Sequence, residues 1–213
     1  MEIIPSIFVT SAKQFMEQTT AVADHVDMVH IDITDGHFVP TTTWANPEFV
    51  AKNLTTNCEL HLMVNEPTKI IEDWEHVPQV KRVFIPAEGG NSVDEAIKII
   101  HSQGWQAGLV FNPETPFGIE KRLLIKLAAV MFMSVHPGKQ GQKLIREVLK
   151  KVMAVKKEYP GLFVELDGGV TEKNIGKIKR AGVDAVCPGS AIFGNRQTPS
   201  ENVRILKNLC LTS

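Results

Sequence analysis

The chain has 213 residues, 43% of them hydrophobic, enough for one sizeable core and within the size range over which α/β barrels run as one domain. Lysine and arginine total 23 against 24 acidic residues, and a formal charge of −1 with no basic block excludes nucleic acid or an anionic membrane as main partner. The longest apolar run, Leu127 to Met133, is far shorter than the roughly 20 residues that a bilayer demands.

The N-terminus, MEIIPSIFV, lacks the basic segment and small-residue cleavage site of a signal peptide. Cys58, Cys187 and Cys210 show no C-x-x-C spacing, and one would be left over after any pairing. Reduced thiols in a cytoplasmic protein are the expectation.

Short β-rich runs alternate with longer amphipathic ones from end to end. A strand is expected over 2–8, then a helix over 11–23 and a strand over 26–33. Further strands are expected over 57–63 and 80–86, then a helix over 91–103 and a strand over 106–112. The chain continues with a strand over 129–135, a helix over 142–157, a strand over 162–167 and a helix over 171–181. A strand over 184–188 and a helix over 199–210 complete it. Asn91, Thr171 and Ser200 stand where helix caps belong, and Gly104 and Gly182 follow helix ends where a left-handed residue is wanted. Eight strand–helix units without a linker, repeat or low-complexity tract predict a (β/α)₈ TIM barrel as a single domain over 1–213. A doubly wound open sheet would also alternate, but usually has five or six strands.

In such a barrel the active site lies at the carboxyl ends of the strands. Two distant segments, Val29–Gly36 and Val164–Gly169, each close an apolar run on an aspartate and then a glycine turn. Strand alternation puts His30, Asp32 and Thr34 on one face of the second strand, and His61 with Met63 on the third. Asp167 closes the seventh strand, with Glu165 one layer below; Ser6 closes the first, and Met133 lies near the end of the sixth. His30, Asp32, His61 and Asp167 make a four-ligand site for one divalent metal, and the mixed nitrogen and oxygen set suits zinc, iron, manganese or cobalt. The plain alternative is a buried polar network, tolerable only if every member is satisfied.

A matched pair of acids, Asp32 and Asp167, suits taking a proton from one face of a carbon and returning it to the other. The loops after the last two strands carry Gly168, Gly169, Gly189 and Ser190, where backbone N–H groups can approach a phosphate, with a short helix expected after Gly189. The loop from Pro137 to Gln142, with Gly138 and Gly141, is expected as a third, mobile wall.

On these blocks the chain resembles the ribulose-phosphate 3-epimerase family. The resemblance is carried by PSI at 5–7, HIDITDGHFVP at 30–40, HLMV at 61–64 and FNPETP at 111–116. It continues with MSVHPGKQGQ at 133–142, ELDGGV at 165–170 and GSAIF at 189–193. It implies a barrel of the ribulose-phosphate-binding type, metal on His30, Asp32, His61 and Asp167, and the two aspartates as acid and base. It also implies substrate contacts at Ser6 and His61, methionines (Met63 and Met133) along the enediolate, and a homo-oligomer.

The implied reaction inverts C3 of a ketose phosphate, D-ribulose 5-phosphate to D-xylulose 5-phosphate. The alternatives are a six-carbon ketose phosphate such as allulose 6-phosphate, or a silent barrel that senses sugar phosphate. A decarboxylase of the related orotidine phosphate type would need a lysine in its Asp-x-Lys-x-x-Asp motif, and Asp32-Ile33-Thr34-Asp35 has none. The chain departs from the family pattern at Thr34, Thr41, Lys139 and Gln140, keeps Glu88 but not a histidine on strand four, and has two extra residues after PSI. Lys139 is expected to bring a positive charge toward the phosphate.

Overall fold

The computed structural model of the protein describes residues 1–89 and 92–212. Its strands all run parallel in one sheet: β1 (Glu2–Ile3), β2 (Ser6–Ile7), β3 (Met28–Thr34), β4 (Asn57–Met63), β5 (Val80–Pro86), β6 (Gln106–Phe111), β7 (Ala129–Met133), β8 (Phe163–Asp167) and β9 (Ala185–Cys187). The order is β1-β9-β8-β7-β6-β5-β4-β3-β2.

The two ends of that order are halves of one run. The stretch 2–8 was expected as a single strand, but Pro5 has no N–H to give to a ladder, and the strand breaks around it. The chain remains bonded on both sides. Glu2 pairs with Ala185, and the N–H groups of Ile4 and Ser6 donate to Val186 and Pro188. On the other side Ser6 pairs with His30, whose N–H donates to the Pro5 carbonyl at 2.9 Å. The sheet therefore closes on itself as an eight-staved barrel, as the alternation predicted.

Outside the sheet lie α1 (Ala12–Val22), α2 (Pro47–Asn53), α3 (Pro67–Asp73), α4 (Ser92–Ser102), α5 (Lys121–Leu124), α6 (Glu147–Glu158), α7 (Ile175–Arg180), α8 (Ser190–Phe193) and α9 (Pro199–Thr212). The outward face of each strand feeds the core against these helices: Val29, Ile31 and Ile33 from β3, Leu60 and Leu62 from β4, Val83 and Ile85 from β5. No helix among the described residues is long and apolar enough to cross a membrane.

Several helix starts fall elsewhere than expected. Helix α6 begins at Glu147 rather than 142, because Ile145 N–H is engaged by the Ser134 carbonyl at 2.8 Å. Helix α7 begins at Ile175 rather than Thr171. There Asn174 braces the glycine turn, accepting from Thr171 N–H and donating to the Gly169 carbonyl, both at 2.8 Å. Ser200 lies inside α9. The cap is Thr198, whose hydroxyl accepts from Glu201 N–H at 3.3 Å while Glu201 Oε2 accepts from Thr198 N–H at 2.9 Å, a reciprocal capping box. Asn91 lies outside the described residues. Gly104 and Gly182 do adopt the left-handed backbone, at φ 75° and 93°.

The inward face is divided along the barrel. Apolar filling comes from Ile4, Phe84, Val110, Met131 and Ala185. Phe84 fits because Gly108 faces it: a Cβ on Gly108 would stand 2.3 Å from the ring. Gly108→Ala is therefore expected to destabilise the fold by about 1–3 kcal/mol through overpacking, and Phe84→Leu in the same background to restore most of that. Urea unfolding checks both. A Gly108→Ala protein as stable as the parent would mean that the ring moves aside freely.

Candidate active site

Parallel pairing sets the polar residues of the barrel interior in rows. The register of β3 on β4 puts His30 beside Glu59, Asp32 beside His61 and Thr34 beside Met63. On the far side Met133 pairs with Asp167 and Asp167 with Cys187. Because side chains alternate, all of these point into the barrel, and the row nearest the carboxyl ends forms the mouth.

Four donors converge there. Asp32 Oδ1 lies 3.1 Å from His61 Nδ1 and 3.4 Å from His30 Nε2. The two imidazole nitrogens are 3.2 Å apart, and Asp167 Oδ2 is 3.8 Å from His61 Nδ1. One donor atom from each of His30, Asp32, His61 and Asp167 lies within 4.8 Å of every other. All four residues are buried. Two imidazoles facing two carboxylates suit a divalent first-row metal. Ser6 Oγ donates to the other oxygen of Asp32 at 2.7 Å and fixes that carboxylate from the side.

A second row lies beneath and was missed from sequence, except for Glu165. His30 Nδ1 meets Glu59 Oε1 at 2.7 Å, and Arg82 Nη1 reaches both Glu59, at 3.3 Å, and Glu165. Cys187 Sγ lies 3.6 Å from His30 Nδ1. The signal for Glu59 was present: it precedes His61 by two residues, as His30 precedes Asp32. Nothing comparable marks Arg82, which follows Lys81 near the start of its strand and reads as one of two neighbouring surface cations.

These surroundings separate the two aspartates. Burial acts to raise Asp32, but the charges and hydrogen bonds of His30 and His61 overcome it and hold the carboxyl far below its ordinary range. Burial and then the nearby Asp32 push Asp167 up, to about 6. Burial works against a charged His30, yet Cys187 and Asp32 hold its pKa well above the ordinary imidazole value. Burial also pushes the Cys187 thiol up to about 12, so at neutral pH the sulfur is uncharged.

One cleft gathers the remaining predicted residues. Ser6, Asp32, Met63, Met133 and Asp167 form its floor, with Gly138 and Gly141 on one wall and Gly168, Gly169, Gly189 and Ser190 on another. His61 faces a small adjoining cavity with Met63 and Met133, and His30 lies wholly below the surface. The short helix expected after Gly189 is α8. Gly169 needs its glycine, since at φ 62° a Cβ would sit 2.5 Å from the backbone nitrogen of Leu144.

The loop over the cleft is laid against the segment after β3: Thr41 Oγ1 donates to the Gly138 carbonyl at 2.8 Å. Gln142 Nε2 donates to the carbonyls of His136 at 2.6 Å and Lys139 at 2.7 Å. The Gln140 carboxamide rests where a Cβ on Gly189 would be, 2.4 Å from its Nε2. Lys139 is exposed and lines the cleft. Thr34 and Thr43 exchange hydrogen bonds through their hydroxyls at 2.9 and 3.0 Å, bracing the end of β3. Glu88 accepts from Asn112 Nδ2 at 3.0 Å and so holds the loop after β6.

The profile of the ribulose-phosphate 3 epimerase family matches residues 2–193. The chain belongs to that family. It is 36% identical over 201 residues to ribulose-phosphate 3-epimerase of Escherichia coli K12, covering 90% of this chain and 88% of that protein. It is 34% identical over 205 residues to the enzyme of the same name from Helicobacter pylori, covering 92% of each. It is accordingly an isomerase of the carbohydrate-epimerase type, in pentose phosphate metabolism. Solved structures extend the likeness to fold alone. KGPDC from Streptococcus mutans in complex with D-R5P superposes with a TM-score of 0.76 at 11% identity, covering 99% of this chain and 97% of that one. A 3-hexulose-6-phosphate synthase from Salmonella typhimurium gives 0.74 at 14% identity, covering 100% and 99%.

The raised Asp167 has a consequence for stability. A carboxyl whose pKa is about 6 folded, against roughly 3.9 unfolded, binds its proton more tightly in the native state, so its contribution is full below the unfolded value and lost as pH climbs through the folded one. In metal-free protein, Asp167→Asn is expected to raise stability at pH 7 by about 1–3 kcal/mol. The gain should shrink toward zero below about pH 4. Urea melts of both proteins across that range, with chelator present, check it; a gain equal at pH 4 and pH 7 would contradict the assignment.

Proposed function

We propose that the protein inverts C3 of D-ribulose 5-phosphate to give D-xylulose 5-phosphate, with Asp32 and Asp167 exchanging protons with the two faces of that carbon. The observation that carries this is the pair of buried carboxyls, Asp32 on β3 and Asp167 at the end of β8, lining one cleft. One is held ionised by two imidazoles and can take the C3 proton. The other, pushed toward neutrality, can hold a proton to return to the opposite face. In the reverse direction the roles exchange, and the two titrate as a coupled unit.

The other residues serve this transfer. His30, Asp32, His61 and Asp167 are the residues that would hold a divalent ion, whose chemistry when bound is to stabilise negative charge on the enediolate oxygens by several kcal/mol. Ser6 keeps the Asp32 carboxylate from turning. Met63 and Met133 offer soft apolar walls against the planar intermediate and exclude water. Backbone N–H groups around Gly168, Gly169, Gly189 and Ser190 would receive the phosphate, with Gln140 moving off Gly189 to admit it. A cytoplasmic setting rests on the three cysteines, all free and buried, and a homo-oligomer on the family resemblance.

The test is turnover in deuterated water. Wild type is expected to incorporate deuterium at C3 while ribulose 5-phosphate and xylulose 5-phosphate interconvert. Asp32→Asn and Asp167→Asn are each expected to lose epimerisation by about 10²- to 10⁴-fold, since an amide neither takes nor returns that proton. Metal content is measured alongside. Wild-type turnover in either variant would end the two-acid reading. Faster turnover of allulose 6-phosphate in the same assay would move the substrate assignment to the six-carbon sugar.

A further inference from the structure

The row beneath the mouth has no step in the proposed reaction, yet its composition is that of a second metal cage. His30, Glu59, Glu165 and Cys187 bring a nitrogen, two carboxylate oxygens and a sulfur within 4.8 Å of one another, all buried. With a sulfur donor it would be the softer of the two cages. His30 belongs to both. Its Nδ1 faces down to Glu59 at 2.7 Å, and its Nε2 faces up to His61 at 3.2 Å. A neutral imidazole offers one lone pair and one N–H, so His30 can serve as a ligand in only one row at a time.

Arg82 stands where a metal in the lower row would find its carboxylates. Its Nη1 is 3.3 Å from Glu59 Oε2 and also bonds Glu165 Oε1. Its Nε donates to Gln106 Oε1 at 3.1 Å, and its guanidinium carbon lies 5.1 Å from the Phe163 ring centre and 5.7 Å from that of Phe84. The side chain thus enters through the floor of the barrel between two rings and delivers a permanent cation to both acids. Once Glu59 is held on one oxygen by Arg82, its other oxygen is fixed on Nδ1 of His30.

We propose that Arg82 is the resident cation of the lower cage. By engaging Glu59 and Glu165 it excludes divalent metal from that row, and by seating Glu59 on Nδ1 it turns Nε2 of His30 toward the mouth. Arg82 and Glu59 are positioning residues, acting on the reaction only through His30. The inference rests on the mouth being the metal site, as proposed above.

Cobalt(II) titration of metal-free protein tests it, followed by metal analysis and by absorption in the visible and near ultraviolet. Wild type is expected to take one cobalt per chain with no sulfur-to-cobalt charge-transfer band. Arg82→Met is expected to take a second cobalt, held by Glu59, Glu165 and Cys187 while His30 stays with the mouth, and to gain that band as Cys187 becomes a ligand. Arg82→Lys keeps a cation there and is expected to stay at one cobalt without the band.

If Arg82→Met does not fold, Glu59 carries the test. Glu59→Leu is expected to weaken the single cobalt site by about 10- to 100-fold, the range for lost outer partners of a ligating histidine. Glu59→Gln, which keeps an acceptor for Nδ1–H, is expected to fall between it and wild type. An Arg82→Met protein that binds one cobalt with the wild-type spectrum, or a Glu59→Leu protein with wild-type affinity, overturns the proposal. A wild type that binds no cobalt overturns the metal reading itself, and that failure is distinguishable because it shows in the unaltered protein.

Discussion

The contact between His30 Nδ1 and Glu59, 2.7 Å long and fully buried, is the one on which the mouth of this barrel depends. It orients the imidazole, and the imidazole then sets the distances to Asp32 and His61. What makes the contact possible is backbone pairing: β3 and β4 run in register from Met28 beside Asn57 to Thr34 beside Met63. A slip of one residue would send His30, Asp32 and Thr34 out among the helices and bring Ile31 and Ile33 into the barrel. The apolar outer face therefore protects the polar inner one. Each misregister costs burial on one side and leaves charges stranded on the other.

Placing so many ionisable groups inside a barrel is unfavourable unless each finds a partner. In the lower row both acids find partners, Glu165 on Arg82 and Glu59 on Arg82 and His30. The mouth is not so balanced: two imidazoles face two carboxylates, and Asp167 is left with burial and a like-charged neighbour, which pushes it up to about 6. That imbalance is local, confined to the layer where chemistry is proposed. A divalent ion binding there would add to native stability by linkage, so folding, metal affinity and proton affinity would be parts of one equilibrium.

Much of this was readable in the sequence, for reasons that differ by element. Strand alternation and strand-end aspartates placed His30, Asp32, His61 and Asp167 together because their side-chain direction follows from parity alone. Helices such as α2 and α3 were given no bounds, being only seven residues long and begun by proline, too short to show a periodicity. The starts of α6 and α7 were misplaced because Ile145 and Asn174 spend their hydrogen bonds on the barrel mouth, a tertiary demand that no local pattern records. Arg82 escaped notice for a related reason. A buried charge is recognisable only through its partner, and Arg82 finds Glu165 on a strand 83 residues away.

The same dependence on distant partners ties the loop over the cleft to the acid beneath it. Ser134, immediately after β7, donates its N–H to the Asp167 carbonyl at 2.7 Å and its hydroxyl to that of Gly168 at 2.6 Å. Val135 follows and packs where a Cβ on Gly168 would lie, at 2.3 Å, so the turn after Asp167 is shaped by the root of the neighbouring loop. The loop from Pro137 onward leaves directly from that root. Its far side is bonded by Thr41 on Gly138 and by its own Gln142, with Gln140 resting on Gly189. The segment is thus anchored to the Asp167 turn at its root and to the segment after β3 through Thr41, so the two carboxyls of the cleft are tied to one loop from opposite sides.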